Sequence, residues 1–162
     1  MMKIKSLMMM VAAVALVIGV SSCGDDNDEP EVVAAVQVAG TYTGTEVVMV
    51  MGEESSNETK DYVISKASDT SVDIKIPEMG MGGMTIPAFS VKNVPLKKNG
   101  NAISGELTSY TGSVTDAKGA EKAFTITGIV VLVSGNEIVV TYSLKYGNMP
   151  MSMETIFTGN KK

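Results

Sequence analysis

The sequence predicts an all-β protein: one antiparallel, up-and-down meander of eight to nine strands that closes into a barrel. Three observations carry that expectation. From residue 39 onward Val, Ile and Thr dominate, and Gly, Asn and Asp punctuate the runs. Two segments alternate strictly. Val72, Ile74 and Ile76 oppose Ser71, Asp73 and Lys75; Ile138, Val140, Tyr142, Leu144 and Tyr146 oppose Thr141, Ser143 and Lys145. Such alternation gives a strand one dry face and one wet face. Tight turns then join sequence neighbours, at Asn99-Gly100, Ser134-Gly135-Asn136 and Gly147-Asn148. Neighbours joined by hairpins run antiparallel, and closing the meander removes its exposed edges.

In chain order, residues 32–38 are a lead-in, either a helical turn or an extended piece. Strands follow over 41–51, 60–67 and 71–76. Residues 85–94 form the next, with Pro87 marking an edge or a bulge because proline cannot donate to a ladder. Residues 96–98 lead into Asn99-Gly100, a strong hairpin signal, and 102–110 return. Residues 112–121 read as a polar loop, and strands 123–133, 137–146 and 151–158 complete the set.

The start of the chain has a different texture. A short basic opening with Lys3 and Lys5 precedes an apolar run over 7–20, too short for a comfortable membrane span. Val20-Ser21-Ser22-Cys23 follows, and Cys23 is the single cysteine. This stretch resembles the lipobox of bacterial lipoproteins. The resemblance implies cleavage before Cys23, a diacylglycerol on its thiol, and an outer-membrane protein anchored by that lipid, facing the surface or the periplasm. Residues 1–22 are then a signal peptide, 23–38 a lipidated cysteine with an acidic tether, and 39–160 the barrel. The tether carries five acids within residues 24–31, too polar to join a core. An acidic cluster after the cysteine resembles the surface-export signal of some Gram-negative lipoproteins.

Composition excludes several function classes. Cleavage before Cys23 leaves 162 − 22 = 140 residues, enough for one core. That portion has 11 Lys against 18 acids, a net charge of 11 − 18 = −7, and contains no Arg, His or Trp. An acidic chain without arginine is a poor nucleic-acid binder. Without histidine, a Ser-His-Asp or Cys-His nucleophile has no base, and an ordinary zinc site loses its commonest ligand. No protein metal site and no cofactor beyond the acyl lipid are expected. The carboxylates scatter over turns and polar strand faces, so no paired acids point to hydrolysis. Glu46 is the exception to watch, because it shares a strand face with Tyr42 and Val48.

The barrel region also resembles a known family. Val38-Ala-Gly40-Thr-Tyr42-Thr-Gly44-Thr45, the alternating segment at 71–76, the run at 86–94 and the Asn99-Gly100 hairpin look like the calycin-like β-barrel lipoproteins, relatives in shape of the lipocalins. The resemblance implies an eight-stranded barrel able to hold one small apolar molecule, with Gly40-x-Tyr42 in place of the lipocalin Gly-x-Trp and its phenol closing one barrel end.

Methionine is the unusual component. Outside the first ten residues, eight fall into three groups: Met49 and Met51; Met79, Met81 and Met84; Met149, Met151 and Met153. Soft thioethers fill irregular cores, adapt to apolar ligands, or bind Cu(I). The leading expectation is a non-enzymatic, lipid-anchored barrel that binds a small hydrophobic or amphipathic ligand through Tyr42, Met49, Met51, Tyr142, Met151, Met153 and Phe157. The alternatives are a surface module contacting a protein partner through the Met79, Met81 and Met84 loop, and a Cu(I)-binding Met-rich protein. Methionines turned inward favour the ligand, and an exposed patch on the loop favours the partner.

Overall fold

A computed structural model describes residues 33–162. Cys23, the expected signal peptide and the expected acidic tether up to residue 32 lie outside the described residues. A five-residue helix, α1 (Ala34–Val38), leads into β1 (Gly40–Val50) and β2 (Glu53–Ser68). Next come β3 (Ser71–Ile76), the short β4 (Met79–Met81) and β5 (Met84–Ile86), and β6 (Phe89–Asn99). The chain ends with β7 (Ala102–Thr115), β8 (Glu121–Ser134), β9 (Glu137–Tyr146) and β10 (Met153–Lys161). Eight strands close a barrel in the order β1-β10-β9-β8-β7-β6-β3-β2, and β4 pairs β5 in a separate hairpin. Every ladder is antiparallel. Among the described residues no helix is long and apolar enough to cross a membrane.

Side-chain alternation places the core inside the barrel. The buried faces of β3 and β9 are the apolar faces of the sequence pattern. Val131, Val133, Ile103, Val91 and Leu96 complete an aliphatic wall. The meander is interrupted once, because β3 pairs β6 and the β4-β5 hairpin loops out between them.

Several boundaries differ from the sequence expectation. The strand expected from residue 60 begins at Glu53, because the long β1 gives the polar run over 53–59 a continuous partner from Val50↔Glu53 to Thr45↔Thr59. The expected loop over 112–121 shrinks to 116–120. Gly112 pairs Phe124 and Val114 pairs Lys122, while Asp116 Oδ1 accepts Lys118 N and Ala120 N, each at 2.9 Å. The expected strand over 85–94 breaks at Pro87, leaving β5 on one side and β6 on the other; β6 then absorbs 96–98 despite Pro95. The glycine-rich Met loop is a hairpin, and β10 starts at Met153 rather than Met151. Finally, α1 is placed with the tether by sequence but packs on the barrel, with Ala35 and Val38 buried in the same core.

Candidate functional site

The two barrel ends are built differently. At one end lie α1, the start of β1 and the β2–β3, β6–β7 and β8–β9 turns. Tyr42 is buried there and its hydroxyl donates to Val38 O at 2.8 Å, so the phenol ties α1 across the opening. Lys161 Nζ donates to Gln37 O at 2.9 Å from the last strand. Burial also pushes the Tyr42 phenol above its ordinary pKa.

Above this plug the lumen is filled. Tyr62 and Phe157 stack with ring centroids 3.9 Å apart and planes 7° from parallel. Gly159 makes room for that stack: a Cβ there would lie 2.6 Å from Phe157 Cζ. Gly44, opposite Gly159, is closer still, since its Cβ would fall within bonding distance of Thr158 O. A polar line runs through the same layer. Tyr142 and Tyr62 share a hydroxyl–hydroxyl hydrogen bond of 2.9 Å, and the Tyr62 hydroxyl donates to Glu46 Oε2 at 2.6 Å. With Tyr62 donating to the carboxylate, Tyr142 is the donor of the pair. Glu46 is 1% exposed. Burial raises its pKa, opposed by the Tyr62 hydrogen bond and the charge of Lys60. Burial likewise raises both phenols. Thr155 lies opposite Tyr142, its hydroxyl buried without a well-formed hydrogen bond, and the Tyr146 hydroxyl is likewise buried and unpartnered.

The opposite end is the methionine end. The β1–β2 turn, the β4–β5 hairpin and the β9–β10 connection all lie there, so the three sequence groups converge on one rim. Met81 pairs Met84 and Met79 pairs Ile86, and all four turn their side chains to the core side of the hairpin while Gly80 and Thr85 face solvent. Met79 and Met153 are buried, and Met81, Met84 and Met149 pack half-buried on the core. Met51 and Met151 are exposed, at 81% and 38%.

The residues expected from sequence to line a ligand site therefore do not share one surface. Tyr42 plugs the closed end, and Tyr142 and Phe157 fill the middle. Met153 points inward at the rim. Met49 pairs Glu154, an exposed residue, and so lies on the outer face, while its neighbour Val50 pairs the inward Met153. Met51 sits in the turn with a positive φ of 54°. Glu46 points inward as its strand position implies, and Glu106 is exposed. Sequence reasoning marked Glu46 but not its partners, because Tyr62 and Tyr142 lie 80 residues apart and meet only across the lumen.

A closed eight-stranded antiparallel barrel plugged by a short helix defines a class of small β-barrel domains. The profile of the calycin-like β-barrel domain matches residues 38–160, and the chain belongs to that family. The fold is also similar to a solved Bacteroides fragilis protein that carries the name "putative outer membrane protein", at 22% identity and a TM-score of 0.63, over 80% of this chain and 53% of that one. This chain thus spans about half the length of that protein. No curated protein sequence matches it.

Proposed function

We propose that this chain is a non-enzymatic envelope lipoprotein, anchored through Cys23 to the outer membrane, whose methionine rim takes a small hydrophobic or amphipathic molecule. The observation that carries the reading is the convergence of three separate methionine groups on one barrel end, with Met79, Met81 and Met84 turned down toward the core. Flexible thioethers repack around guests of different shape. The Tyr62–Phe157 stack fills the lumen below, so the guest sits at the rim and not deep in the barrel. The inward methionines weigh against the hairpin as a protein-docking loop.

A non-enzymatic role is supported by the absence of histidine and by the environment of Glu46, which is held by a phenol and not by a second acid. The envelope address is supported by the lipobox-like start of the chain and by the likeness to the Bacteroides fragilis protein. Native mass spectrometry of gently purified protein tests the ligand: a co-purified adduct lost on replacing Met81 and Met84 by Ser is expected, and bare protein that also fails to bind an apolar fluorescent probe refutes it. Mass analysis of the Cys23 peptide tests the anchor: an unacylated thiol refutes it.

A further inference from the structure

Strand β7 is paired on both sides only at its start. Against β6 the ladder runs from Asn99↔Ala102 to Leu96↔Gly105 and stops. Against β8 it continues to Thr115↔Glu121. From Glu106 to Thr115 the β6-facing edge of β7 therefore has no strand partner among the described residues, and no turn or loop backbone bond reaches it. A row of unpaired N–H and C=O groups is a template for another strand.

Two other edges in the barrel wall are open among the described residues. Residues 89–95 of β6, paired with β3 alone, form the far side of the same gap and carry Lys92 and Pro95. The other is a guarded stretch of β2. Residues 53–61 of β2 lie beyond the β2–β3 ladder, which ends at Val63↔Lys75. That stretch carries Glu53, Glu54, Glu58, Lys60 and Asp61. Lys60 pairs Glu58 at 2.6 Å and donates to Glu78 O at 2.9 Å, holding the segment before β4 beside it. Charged side chains and a covering segment are the usual protections of an edge. The β7 edge, Glu-Leu-Thr-Ser-Tyr-Thr-Gly-Ser-Val-Thr, has less: Glu106 is its single charge, it contains no Lys or Pro, no strand is paired to it among the described residues, and Lys92 of β6 is the cation near it, at Tyr110.

We propose that this β7 edge pairs antiparallel with the same edge of a second copy of the chain, in a two-fold dimer with Gly112 at the axis. The side-chain pattern selects that occupant. Tyr110, Gly112 and Val114 share the inward face with their β8 partners Ile126 and Phe124, and Ser109, Thr111, Ser113 and Thr115 are exposed. About the Gly112 axis, Tyr110 meets the Val114 position of the second copy, Thr111 meets Ser113, and Ser109 meets Thr115. Each is a favourable cross-strand pair, aromatic with β-branched or hydroxyl with hydroxyl. No like charges face each other, whereas self-pairing of the β2 edge brings its four acids together. The arrangement is isologous and closes at two copies, so it does not propagate into fibres.

The test uses the full chain with Cys23→Ser, so that no lipid or native thiol intervenes. Sedimentation is expected to give twice the chain mass. Thr111→Lys with Ser113→Lys is expected to halve it while leaving the circular dichroism spectrum unchanged, and Glu54→Lys on the guarded edge is expected to leave the dimer intact. Mixing a Thr111→Cys chain with a Ser113→Cys chain is expected to yield a disulfide-linked pair, and Thr111→Cys alone is not. A monomer at every concentration overturns the proposal, as does a dimer that survives the paired lysines. Hydrogen-exchange protection, in a monomer, of the alternate amides of 106–115 that point away from β8 also overturns it, since a segment of the same chain then covers the edge.

Discussion

At the α1 end the lumen is closed by side chains that each have one place to go. Tyr42 is bonded to Val38 O, Phe157 lies flat on Tyr62, and Gly44 and Gly159 are small because neighbouring atoms occupy the space a Cβ needs. At the rim the residues are long, flexible methionines, some buried and some nearly free, as Met153 and Met51 show. The lower half spends its sequence on a single packing arrangement, and the rim keeps many arrangements open. Within one barrel, stability and adaptability are separated by level.

Replacement across that divide tests the contrast. Phe157→Ala removes half of the stack and is expected to cost about 3–5 kcal/mol, read from the denaturant midpoint. A loss no larger than that of a rim substitution breaks the comparison. Tyr62→Phe keeps the ring and deletes the donor to buried Glu46, for an expected loss of about 1–3 kcal/mol by the same measurement.

Glu46→Gln sharpens the picture through pH. The raised pKa means that the folded state holds the proton more tightly than the unfolded chain. The contribution of Glu46 therefore falls as pH rises from the ordinary carboxylate range through its raised value. Gln keeps an acceptor for Tyr62 and carries no charge. The two proteins are expected to melt together in acid, with the variant gaining on the native chain toward neutrality; parallel melting curves at every pH count against a buried, strained carboxylate. At the rim, Met84→Leu is expected to cost under about 1.5 kcal/mol, because volume and polarity are conserved. Met51→Ser, at an exposed turn, is expected to move stability by no more than about 0.5 kcal/mol.

Much of the wall was legible in the sequence. The alternating segments at 71–76 and 137–146 are β3 and β9, and the Asn99-Gly100 signal marks the β6–β7 hairpin. The phenol of Tyr42 does close one barrel end. The start of β2 lacks apolar alternation because only β1 holds it, and at the end of β7 the alternation of Tyr110 and Val114 with hydroxyl residues is interrupted by Gly112. The methionine faces were misjudged against the alternation of β1 itself: Tyr42, Glu46 and Val48 share the inward face and the ladder to β10 runs without a shift, so Met49 falls outside, while Met51 lies in the turn and Met149 and Met151 precede β10.

By itself the sequence determined that this chain is an antiparallel β-barrel and which residues of its regular strands face inward, since both follow from local alternation and turn chemistry. Only the tertiary structure decided that three methionine groups gather on one rim, that Glu46 meets Tyr62 and Tyr142 inside a stacked core, and that, among the described residues, the far half of β7 has no strand partner on its β6 side. Those are facts of closure. They depend on which strands become neighbours and where each ladder stops, and a residue pattern read one strand at a time does not contain them.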